Sequence, residues 1–496
     1  MTDDVTISGV GAWIALIVSL LVLVALFAIA IAALIVVPRN RRPPSALAWL
    51  LLIYILPFIG FLLFLMLGSR RLPKRRRDQQ DEINTYILET TDGMDRVSKD
   101  SPWPPWLEPI VELNRNLGAM PLVGGNTAKL YTDYSGSIAA MTAAVRLAER
   151  SVHVEFYIMS VDDETEIFFE ALADAAARGV TVRVLYDHVA SLRVPGYRRL
   201  LKRLDSMGAE HRAMLPIRPW RGQWQRPDLR NHRKFLIVDG SIAFTGSQNL
   251  IARHYHRRTR RDGSQLVWEE LMVRFAGPIV AGIEALFATD WYSETGELLL
   301  RETVIPPEID PGQGLDAQVV PSGPAFEGEN NLRLFNSLVY AAQEQIQICS
   351  PYFVPDESML YAITTAAQSG LDVQLFVSEI GDQTLVFHAQ RSYYEELLRA
   401  GVRIWLYRSP TVLHAKHFTV DDEVAIIGSS NMDMRSFSLN LEVSVMVRGE
   451  SIIRELREIE QSYRDNSTEL LLDDWLRRPA HMRIFDDLAR VTAAVQ

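Results

Sequence analysis

The chain has 496 residues, too many for one ordinary hydrophobic core, so two or more folding units are expected. Its formal net charge of −10 excludes a general polyanion binder, and any attraction to phosphate has to come from local basic patches. The single cysteine, Cys349, excludes an internal disulfide and a multi-cysteine metal cluster.

The first seventy positions contain two apolar runs. No charged residue occurs from Gly11 to Val37, and a second uncharged run extends from Ser45 to Ser69. About 20 apolar residues cross a bilayer core as a helix, and transmembrane helices tolerate residues such as Pro57 and Gly60 better than soluble helices do. Because the connecting loop is very short, residues 1–69 are predicted to form a transmembrane helical hairpin.

The residues that flank these runs bear on cleavage and orientation. A cleaved signal peptide is disfavoured, because the first run follows acidic Asp3 and Asp4 and exceeds the usual apolar length of such peptides. The larger basic cluster follows the second run and predicts an integral, multi-pass protein of the cell inner membrane whose C-terminal bulk lies in the cytoplasm. That cluster either contacts anionic headgroups or acts as a topology signal alone. The basic residues are Arg39, Arg41 and Arg42 in the loop, and Arg70, Arg71, Lys74, Arg75, Arg76 and Arg77 after the second run.

A repeat follows a basic and polar linker at residues 70–124. Each copy has an alternating strand, an amphipathic helix, a helix-ending glycine and a second strand, and the copies begin near Ala148 and Ala342. Strand–helix–strand order implies right-handed crossovers and a largely parallel sheet. The sequence therefore predicts an α/β fold with two related domains of mainly parallel or mixed sheet, at 125–305 and 306–496, the second closed by a C-terminal helix.

Each domain carries the pattern His-x-Lys-x4-Asp. Only six of the 51 basic residues are lysines, yet two of these six stand at the same place in the two motifs. Lysine is a compact point charge that fits a crowded phosphate site, whereas arginine is a broad fork. The duplicated pattern therefore indicates a phosphate site. The motif residues are His232, Lys234 and Asp239 in the first domain and His414, Lys416 and Asp421 in the second.

A second pattern, Gly-Ser-x-Asn, begins fourteen positions after each histidine. It contains Ser247 and Asn249 in the first domain and Ser429 and Asn431 in the second. His and Lys two positions apart on a strand point to the same face, so both side chains can reach one pocket. The Asp five positions after each Lys falls near the strand end, where a structural role is at least as well supported as direct chemistry.

Two other interpretations of the histidines are weaker. A lone histidine is usually a satisfied structural residue, but that account does not explain paired histidines in duplicated contexts. A metal site is disfavoured because the acidic or thiolate ligands expected beside paired histidines are not clustered in the sequence. We predict no metal and no nucleotide, since no Gly-x4-Gly-Lys-Ser/Thr loop is found.

The duplicated His-Lys-Asp motif resembles the signature of the phospholipase D superfamily. The resemblance extends over the whole chain, and four stretches look specifically like bacterial cardiolipin synthases: Trp49 to Gly68, Arg230 to Lys234, Ser350 to Asp356 and Arg391 to Gly401. It implies two pseudo-twofold-related phospholipase D-like domains whose motifs meet in one active site that needs no cofactor. It also implies transfer of a phosphatidyl group from one phosphatidylglycerol to another through a phosphohistidine, which gives cardiolipin and glycerol.

The same resemblance implies roles for the site residues. His232 is assigned as nucleophile and His414 as acid/base, and the near-symmetry of the motifs leaves the reverse order open. Lys234 and Lys416 would hold the phosphoryl oxygens as charge builds in the transition state. The neutral donors assigned beside them are Ser247, Asn249, Ser429 and Asn431.

Two carboxylates complete the expected site. Glu442 is expected to accept the other ring N–H of a catalytic histidine and so to fix its tautomer. Its counterpart in the first domain is Glu270, with Glu269 as the competing choice. For both positions a surface carboxylate is the alternative.

Arg- and aromatic-rich stretches flank the first motif. They suit a bilayer interface that bears anionic lipids such as phosphatidylglycerol, or they are two solvated loops. Such stretches also suit nucleic acid, but a nuclease gains nothing from a membrane hairpin, so no nucleic-acid partner is predicted. The residues are Arg212, Arg218, Trp220, Arg221, Trp224, Arg226, Arg230 and Arg233, then Arg253, His254, Tyr255, His256, Arg257, Arg258, Arg260 and Arg261.

The motifs leave other functions open. Phospholipase D-type hydrolysis of phospholipids would use the same residues with water as acceptor. A membrane-tethered nuclease is a weaker alternative, and a non-catalytic lipid-binding scaffold is disfavoured because both motifs are intact. The sequence does not predict the oligomeric state.

Overall fold

The computed structural model describes residues 4–39, 41–69, 71–91, 103–221, 223, 225–255, 265–299, 314–326 and 328–491. The chain forms two compact units, Met1–Arg70 and Arg71–Gln496. The smaller unit holds three helices, α1 (Asp4–Val36), α2 (Pro43–Ile55) and α3 (Pro57–Leu67). Within α1, the 26 residues Gly11–Val36 are long and apolar enough to cross a membrane, and among the described residues this is the one such helix.

The second apolar run is not one continuous helix, so among the described residues only the first run has the length and composition of the two predicted transmembrane helices. Pro57 has no backbone N–H to donate, and its ring crowds the carbonyl four residues earlier. Helix α2 therefore ends and α3 begins there. A β-carbon at Gly60 would lie 2.7 Å from the backbone oxygen of Leu52, so α2 and α3 pack closely against each other. Helices of 13 and 11 residues are about 20 Å or less in length, short of the roughly 30 Å of a bilayer core.

The larger unit begins with two helices that precede the repeat, and its first half then runs from β1 to α10. The leading helices are α4 (Lys74–Thr90) and α5 (Leu107–Gly118). The first half contains β1 (Leu122–Tyr131), α6 (Tyr134–Arg146), β2 (Ser151–Phe156), α7 (Glu166–Ala177), β3 (Thr181–Asp187), α8 (His188–Arg193), α9 (Tyr197–Ser206), β4 (Glu210–Met214), β5 (Arg230–Asn231), β6 (Lys234–Val238), β7 (Ile242–Gly246), β8 (Val267–Glu269), β9 (Met272–Ala276) and α10 (Ile279–Thr295).

The second half runs from β10 to α18. Its elements are β10 (Leu315–Ser322), α11 (Asn330–Ala341), β11 (Gln345–Cys349), β12 (Phe353–Val354), α12 (Glu357–Gln368), β13 (Asp372–Ser378), α13 (Thr384–Arg391), α14 (Tyr394–Ala400), β14 (Arg403–Tyr407), β15 (Thr411–Leu413), β16 (His417–Val420), β17 (Val424–Gly428), β18 (Met432–Asp433), α15 (Met434–Ser438), β19 (Asn440–Arg448), α16 (Glu450–Asp465), β20 (Ser467–Leu470), α17 (Leu472–Leu476) and α18 (Ala480–Val491).

One continuous sheet joins the two halves. Its order is β20-β14-β13-β11-β16-β17-β19-β10-β1-β9-β7-β6-β2-β3-β4. The central pair, β1 and β10, is antiparallel, and the strands on either side of it repeat in mirrored order. Parallel pairing occurs at β2–β3–β4 and at β11–β13–β14, with antiparallel pairs between. The prediction of two related domains in a mixed α/β fold is confirmed.

The buried core explains why the halves form one unit. A single apolar cluster contains Phe287 and Trp291 of α10 together with Leu456 and Tyr463 of α16. Helix α10 of the first half contacts β10 of the second, and α16 of the second contacts β1 of the first. Because each half covers part of the other's sheet, the motif strands β6 and β16 are held in fixed relation.

The C-terminal helix α18 lies against α13 through one buried acid. Asp486 contacts the imidazole of His388 at 2.7 Å and the guanidinium of Arg478 at 2.6 Å. Ile484 and Leu488 remain exposed on the other side of the helix. Ion pairing therefore fixes this predicted helix to the second half.

Candidate active site

Strands from opposite halves hold the two motif histidines. His232 follows β5, which pairs in parallel with β19 of the second half, and its backbone N–H donates to the carbonyl of Leu441 at 2.8 Å. His414 follows β15, which pairs in parallel with β8 of the first half, and its N–H donates to the carbonyl of Glu269 at 2.7 Å. Each histidine is thus positioned by a strand of the other half.

The carboxylates are exchanged between the halves in the same way. His232 Nδ1 lies 2.9 Å from Glu442 Oε2, and His414 Nδ1 lies 2.8 Å and 3.0 Å from the two oxygens of Glu270. A carboxylate at Nδ1 stabilises the tautomer with its proton on that nitrogen and leaves a lone pair on Nε2. The competing choice, Glu269, directs its side chain instead to Arg253 at 2.9 Å.

The two lysines are buried beside the histidines. Lys234 Nζ donates to the carbonyl of His232 at 2.6 Å, and Lys416 Nζ donates to the carbonyl of His414 at 2.7 Å. Burial lowers the pKa of Lys234 to about 7 and that of Lys416 to about 8, while the nearby glutamates oppose the shift. A cationic lysine at such a site would gain from an anionic ligand that offsets its lost hydration.

The electrostatics favour neutral imidazoles beside ionised glutamate. Burial lowers the pKa of His232 to about 4; Lys234 and Lys416 add to the shift, and Glu442 opposes it. Burial also lowers the pKa of His414. Burial by itself would raise the pKa of Glu442, but contacts with His232 and Lys234 hold it below its usual value. Lys416 also contributes to the lowered pKa of His232, and His232 Nδ1 lies 3.1 Å from the backbone oxygen of Ser429 in the second half. The two motif regions therefore lie side by side in one buried site.

The serines of the second pattern secure the strands that carry the glutamates. Ser247 Oγ accepts the backbone N–H of Leu271 at 2.9 Å, next to Glu270. Ser429 Oγ accepts the N–H of Val443 at 3.0 Å and donates to Glu442. These contacts favour a positioning role for both hydroxyls over direct phosphate binding.

The asparagines are buried in the same region. Asn249 Oδ1 accepts the backbone N–H of Ile158 at 3.2 Å. Asn431 Oδ1 has no hydrogen-bond partner among the described residues. A phosphoryl oxygen is itself an acceptor, so only the Nδ2 group of each amide could donate to a bound phosphate.

The motif aspartates lie at the far ends of β6 and β16 from the histidines. Both adopt positive φ, +53° for Asp239 and +51° for Asp421. The carboxylate of Asp239 accepts the backbone N–H groups of residues 149, 150 and 151, and that of Asp421 accepts those of residues 343, 344 and 345. These contacts favour the structural interpretation of both aspartates over a catalytic one, because they fix the turn after each motif strand.

Two tyrosines beside the histidines were missed by the sequence analysis. The ring of Tyr157 meets that of His232 edge-on with centroids 4.7 Å apart, and Tyr352 meets His414 at 6.1 Å. Both follow the first strand of their repeat copy, just after β2 and β11. The signal available in the sequence was an aromatic residue at almost the same place in each copy.

Four arginines of the basic stretches, Arg226, Arg230, Arg233 and Arg253, form internal ion pairs and are therefore not free to face a bilayer. Arg230 is buried against Asp187 at 3.3 Å, and Arg233 is buried against Asp290. Arg226 pairs with the carboxylate of Asp228, two positions further along the chain. Trp220 is exposed. Trp224, His256, Arg257, Arg258, Arg260 and Arg261 lie outside the described residues.

Within the part of the chain that the structure describes, no three His, Cys, Asp or Glu side chains are grouped to hold a metal ion. Two related α/β halves that share one buried site, with a His-x-Lys pair from each, define a phospholipase D-like protein. The family model "Cardiolipin synthase, PLD-like domain" matches residues 141–291 and 336–463, and "Phospholipase_D-nuclease N-terminal" matches residues 28–69. The chain belongs to the PLD-like cardiolipin synthase family.

Individual relatives agree with this assignment. Cardiolipin synthase A of Proteus mirabilis (strain HI4320) is 32% identical over 460 residues, which cover 90% of this chain and 92% of the relative. Cardiolipin synthase of Geobacillus kaustophilus (strain HTA426) is 32% identical over 465 residues, which cover 92% and 90%. Among solved structures, phosphatidylserine synthase of Haemophilus influenzae Rd KW20 superposes with a TM-score of 0.59 at 14% identity, over 77% of this chain and 98% of that one. This last likeness concerns the fold alone.

Proposed function

We propose that the chain is a cardiolipin synthase, a phosphatidyltransferase that moves a phosphatidyl group from one phosphatidylglycerol to the primary hydroxyl of another and releases glycerol. The observation that carries the proposal is the crossed arrangement of two His–Glu pairs in a buried, lysine-containing site, each pair joining a histidine of one half to a glutamate of the other. Full-length relatives with this activity in their names support the choice of substrate.

The proposed reaction has two displacements at one phosphorus. His414 enters the step as the imidazolium, a form that the bound anionic phosphate favours. His232 Nε2 attacks the donor phosphorus, a P–N bond forms, and the P–O bond to glycerol breaks as His414 gives its Nε2 proton to the leaving oxygen. The acceptor hydroxyl then attacks the phosphorus, His414 takes back a proton, and the P–N bond breaks. The order of roles stays as the sequence analysis assigned it, and the lowered pKa of His232 supports a neutral nucleophile.

The lysines and glutamates support both steps. Lys234 and Lys416 hold the non-bridging oxygens, where charge builds in each transition state. Glu442 and Glu270 keep the Nδ1 protons in place, so that Nε2 of each ring faces the phosphorus. The amides of Asn249 and Asn431 are assigned as neutral donors. The serines and motif aspartates hold the strands that carry these groups.

Purified protein with radiolabelled phosphatidylglycerol tests the activity. We expect cardiolipin and glycerol in equal amounts. Phosphatidic acid as the sole lipid product would indicate hydrolysis instead, and cleavage of an oligonucleotide would overturn the lipid assignment. His232→Ala and His414→Ala should each abolish turnover.

We also propose that α1 anchors the protein in the inner membrane and that α2 and α3 form a re-entrant pair. The basic groups Arg39, Arg41 and Arg42 and the cluster that begins at Arg71 then both face the cytoplasm, as basic flanks prefer. A fully crossing second segment would place one basic group outside. The close α2–α3 packing at Gly60 supports the pair.

Cysteine accessibility tests this topology. The one native cysteine, Cys349, is buried, so Arg42→Cys and Lys74→Cys can be labelled selectively in intact cells and in inverted vesicles. Both positions should react with an impermeant maleimide only in inverted vesicles. Reaction of one position from each side would mean that the second segment crosses the membrane.

A further inference from the structure

A polar cluster lies next to His414 and has no role in the steps above. Tyr352, whose ring meets that of His414, donates its hydroxyl hydrogen bond to Asp382, with oxygen distances of 2.9 Å and 2.8 Å. Gln383 Nε2 donates to the same phenol oxygen at 3.1 Å. We call these three residues, Tyr352, Asp382 and Gln383, the Tyr352 cluster. Asp382 is half-buried and Gln383 is exposed, so the cluster is open to a ligand.

The hydrogen-bond donor to the carboxylate of the cluster is a neutral phenol, that of Tyr352. No Lys, Arg or His among the described residues lies within ion-pair distance of Asp382, although the side chain is half-buried. Its charge raises the pKa of Tyr255, after the larger effect of burial, and also opposes the lowered pKa of His414. A partly desolvated carboxylate beside a reacting group is costly unless it receives hydrogen bonds. Tyr352 supplies one donor, and a carboxylate can accept several.

Among the described residues of the first half, the acid at the corresponding place is not open to a ligand. Its β3 leads directly into α8, and the acid at that junction, Asp187, is fully buried. The carboxylate of Asp187 accepts the backbone N–H of Asn231 at 3.0 Å and of Ala190 at 2.9 Å, so it is already committed. The two histidines therefore differ in what lies beside them, and only the His414 side presents an open carboxylate among the described residues.

We propose that the Tyr352 cluster binds the free hydroxyl groups of the acceptor polyol, and this inference rests on the proposed transferase function. A carboxylate accepts hydrogen bonds from neutral hydroxyls and repels phosphate, so it selects the glycerol end of an acceptor lipid. The phosphate stays with Lys234 and Lys416. A primary hydroxyl held in this way lies on the side of His414, the group that takes its proton.

Competition between two labelled alcohols tests the subsite. Full-length protein receives phosphatidylglycerol as donor with equal concentrations of glycerol and 1-butanol, and both transfer products are counted in the same reaction. Butanol has one hydroxyl and gains nothing from the cluster. We expect Asp382→Asn and Tyr352→Phe each to lower the glycerol-to-butanol ratio by about tenfold, as expected for a lost hydrogen bond to a charged group. Asp487→Asn, on an exposed position of α18, is the matched control and should leave the ratio unchanged.

The ratio separates binding from damage to the site. A variant that only weakens His414 or the fold lowers both products equally, and an unchanged ratio in both cluster variants would overturn the subsite. If the wild-type protein cleaves phosphatidylglycerol with water alone and makes neither alcohol product, the proposed function and the subsite fail together. If the wild type transfers to both alcohols and the ratio does not respond, only the subsite fails.

Discussion

At the scale of single residues, the crossed His–Glu pairs assign different steps to two chemically identical carboxylates. Glu442 orients His232, and Glu270 orients His414. Loss of a carboxylate behind a functional imidazole commonly lowers activity about 10- to 100-fold. We expect Glu442→Gln to slow attack on any donor. In the first displacement, Glu270→Gln should slow only donors whose leaving group needs a proton.

A pair of donors distinguishes the two variants. With phosphatidylglycerol both variants should form the phosphohistidine slowly. With a phosphatidyl p-nitrophenyl ester, whose leaving group needs no proton, Glu270→Gln should release nitrophenol in the first turnover at nearly the wild-type rate. Glu269→Gln is the matched control, because its side chain pairs with Arg253 and not with a histidine. The opposite pattern would exchange the roles of His232 and His414, and equal losses on both donors would contradict separate roles.

The lowered pKa of His232 gives a second prediction at this scale. An imidazole is protonated below its pKa, so a nucleophile with a pKa of about 4 stays neutral until the pH falls to that value. We expect the single-turnover rate of phosphohistidine formation to decline only near pH 4. An exposed histidine nucleophile would instead give a decline near about pH 6.5. Activity regained at neutral pH controls for unfolding, and a decline centred near pH 6.5 would contradict the prediction.

At the scale of elements, we propose that the motif aspartates act in the turns and not in the chemistry. Asp421→Ala removes the acceptor of three backbone N–H groups. We expect the free energy of unfolding to fall by about 1–3 kcal/mol while turnover per folded molecule is retained. Thermal unfolding in detergent, with activity measured on the folded fraction, checks both. The neighbouring Asp422→Ala, whose side chain is exposed, should change neither quantity.

Local pattern predicted some elements and missed others for physical reasons. The repeated strands and the two motifs follow from short-range periodicity, so they could be predicted. The break of the second apolar run could not be predicted from apolar composition, because both a kinked helix and a helical pair tolerate Pro57. The sequence pattern placed Arg230 and Arg233 in a surface stretch. Their partners, Asp187 and Asp290, are 43 and 57 positions away and contact them only in the folded chain.

The pairing of the glutamates had the same limit. The sequence identified Glu442 and Glu270, but not which histidine each contacts. That depends on which strand lies beside β5 and β15 once the halves have docked, and such non-local pairing leaves no short-range signal. The role of the serines in holding those strands could not be predicted for the same reason. For the motif aspartates, the sequence did not decide between a structural and a catalytic role.

At the scale of the whole molecule, the unit Arg71–Gln496 contains every residue assigned to the site. We expect a chain without residues 1–70 to cleave short-chain phosphatidylglycerol in solution and to be released from membranes by alkaline carbonate, whereas the full chain is retained. Loss of all activity on the short-chain lipid, with the protein still folded, would mean that the first unit contributes to the chemistry and does not only anchor it.

The exchange of carboxylates also constrains how such a protein can arise by duplication. One copy alone would contain a histidine without its partner carboxylate and a carboxylate without its partner histidine. An ancestor of half the length could therefore work only as a pair of identical subunits. A single chain that contains both copies fixes that stoichiometry and allows the two sides to differ, as Asp382 near His414 and the fully buried Asp187 of the first half do.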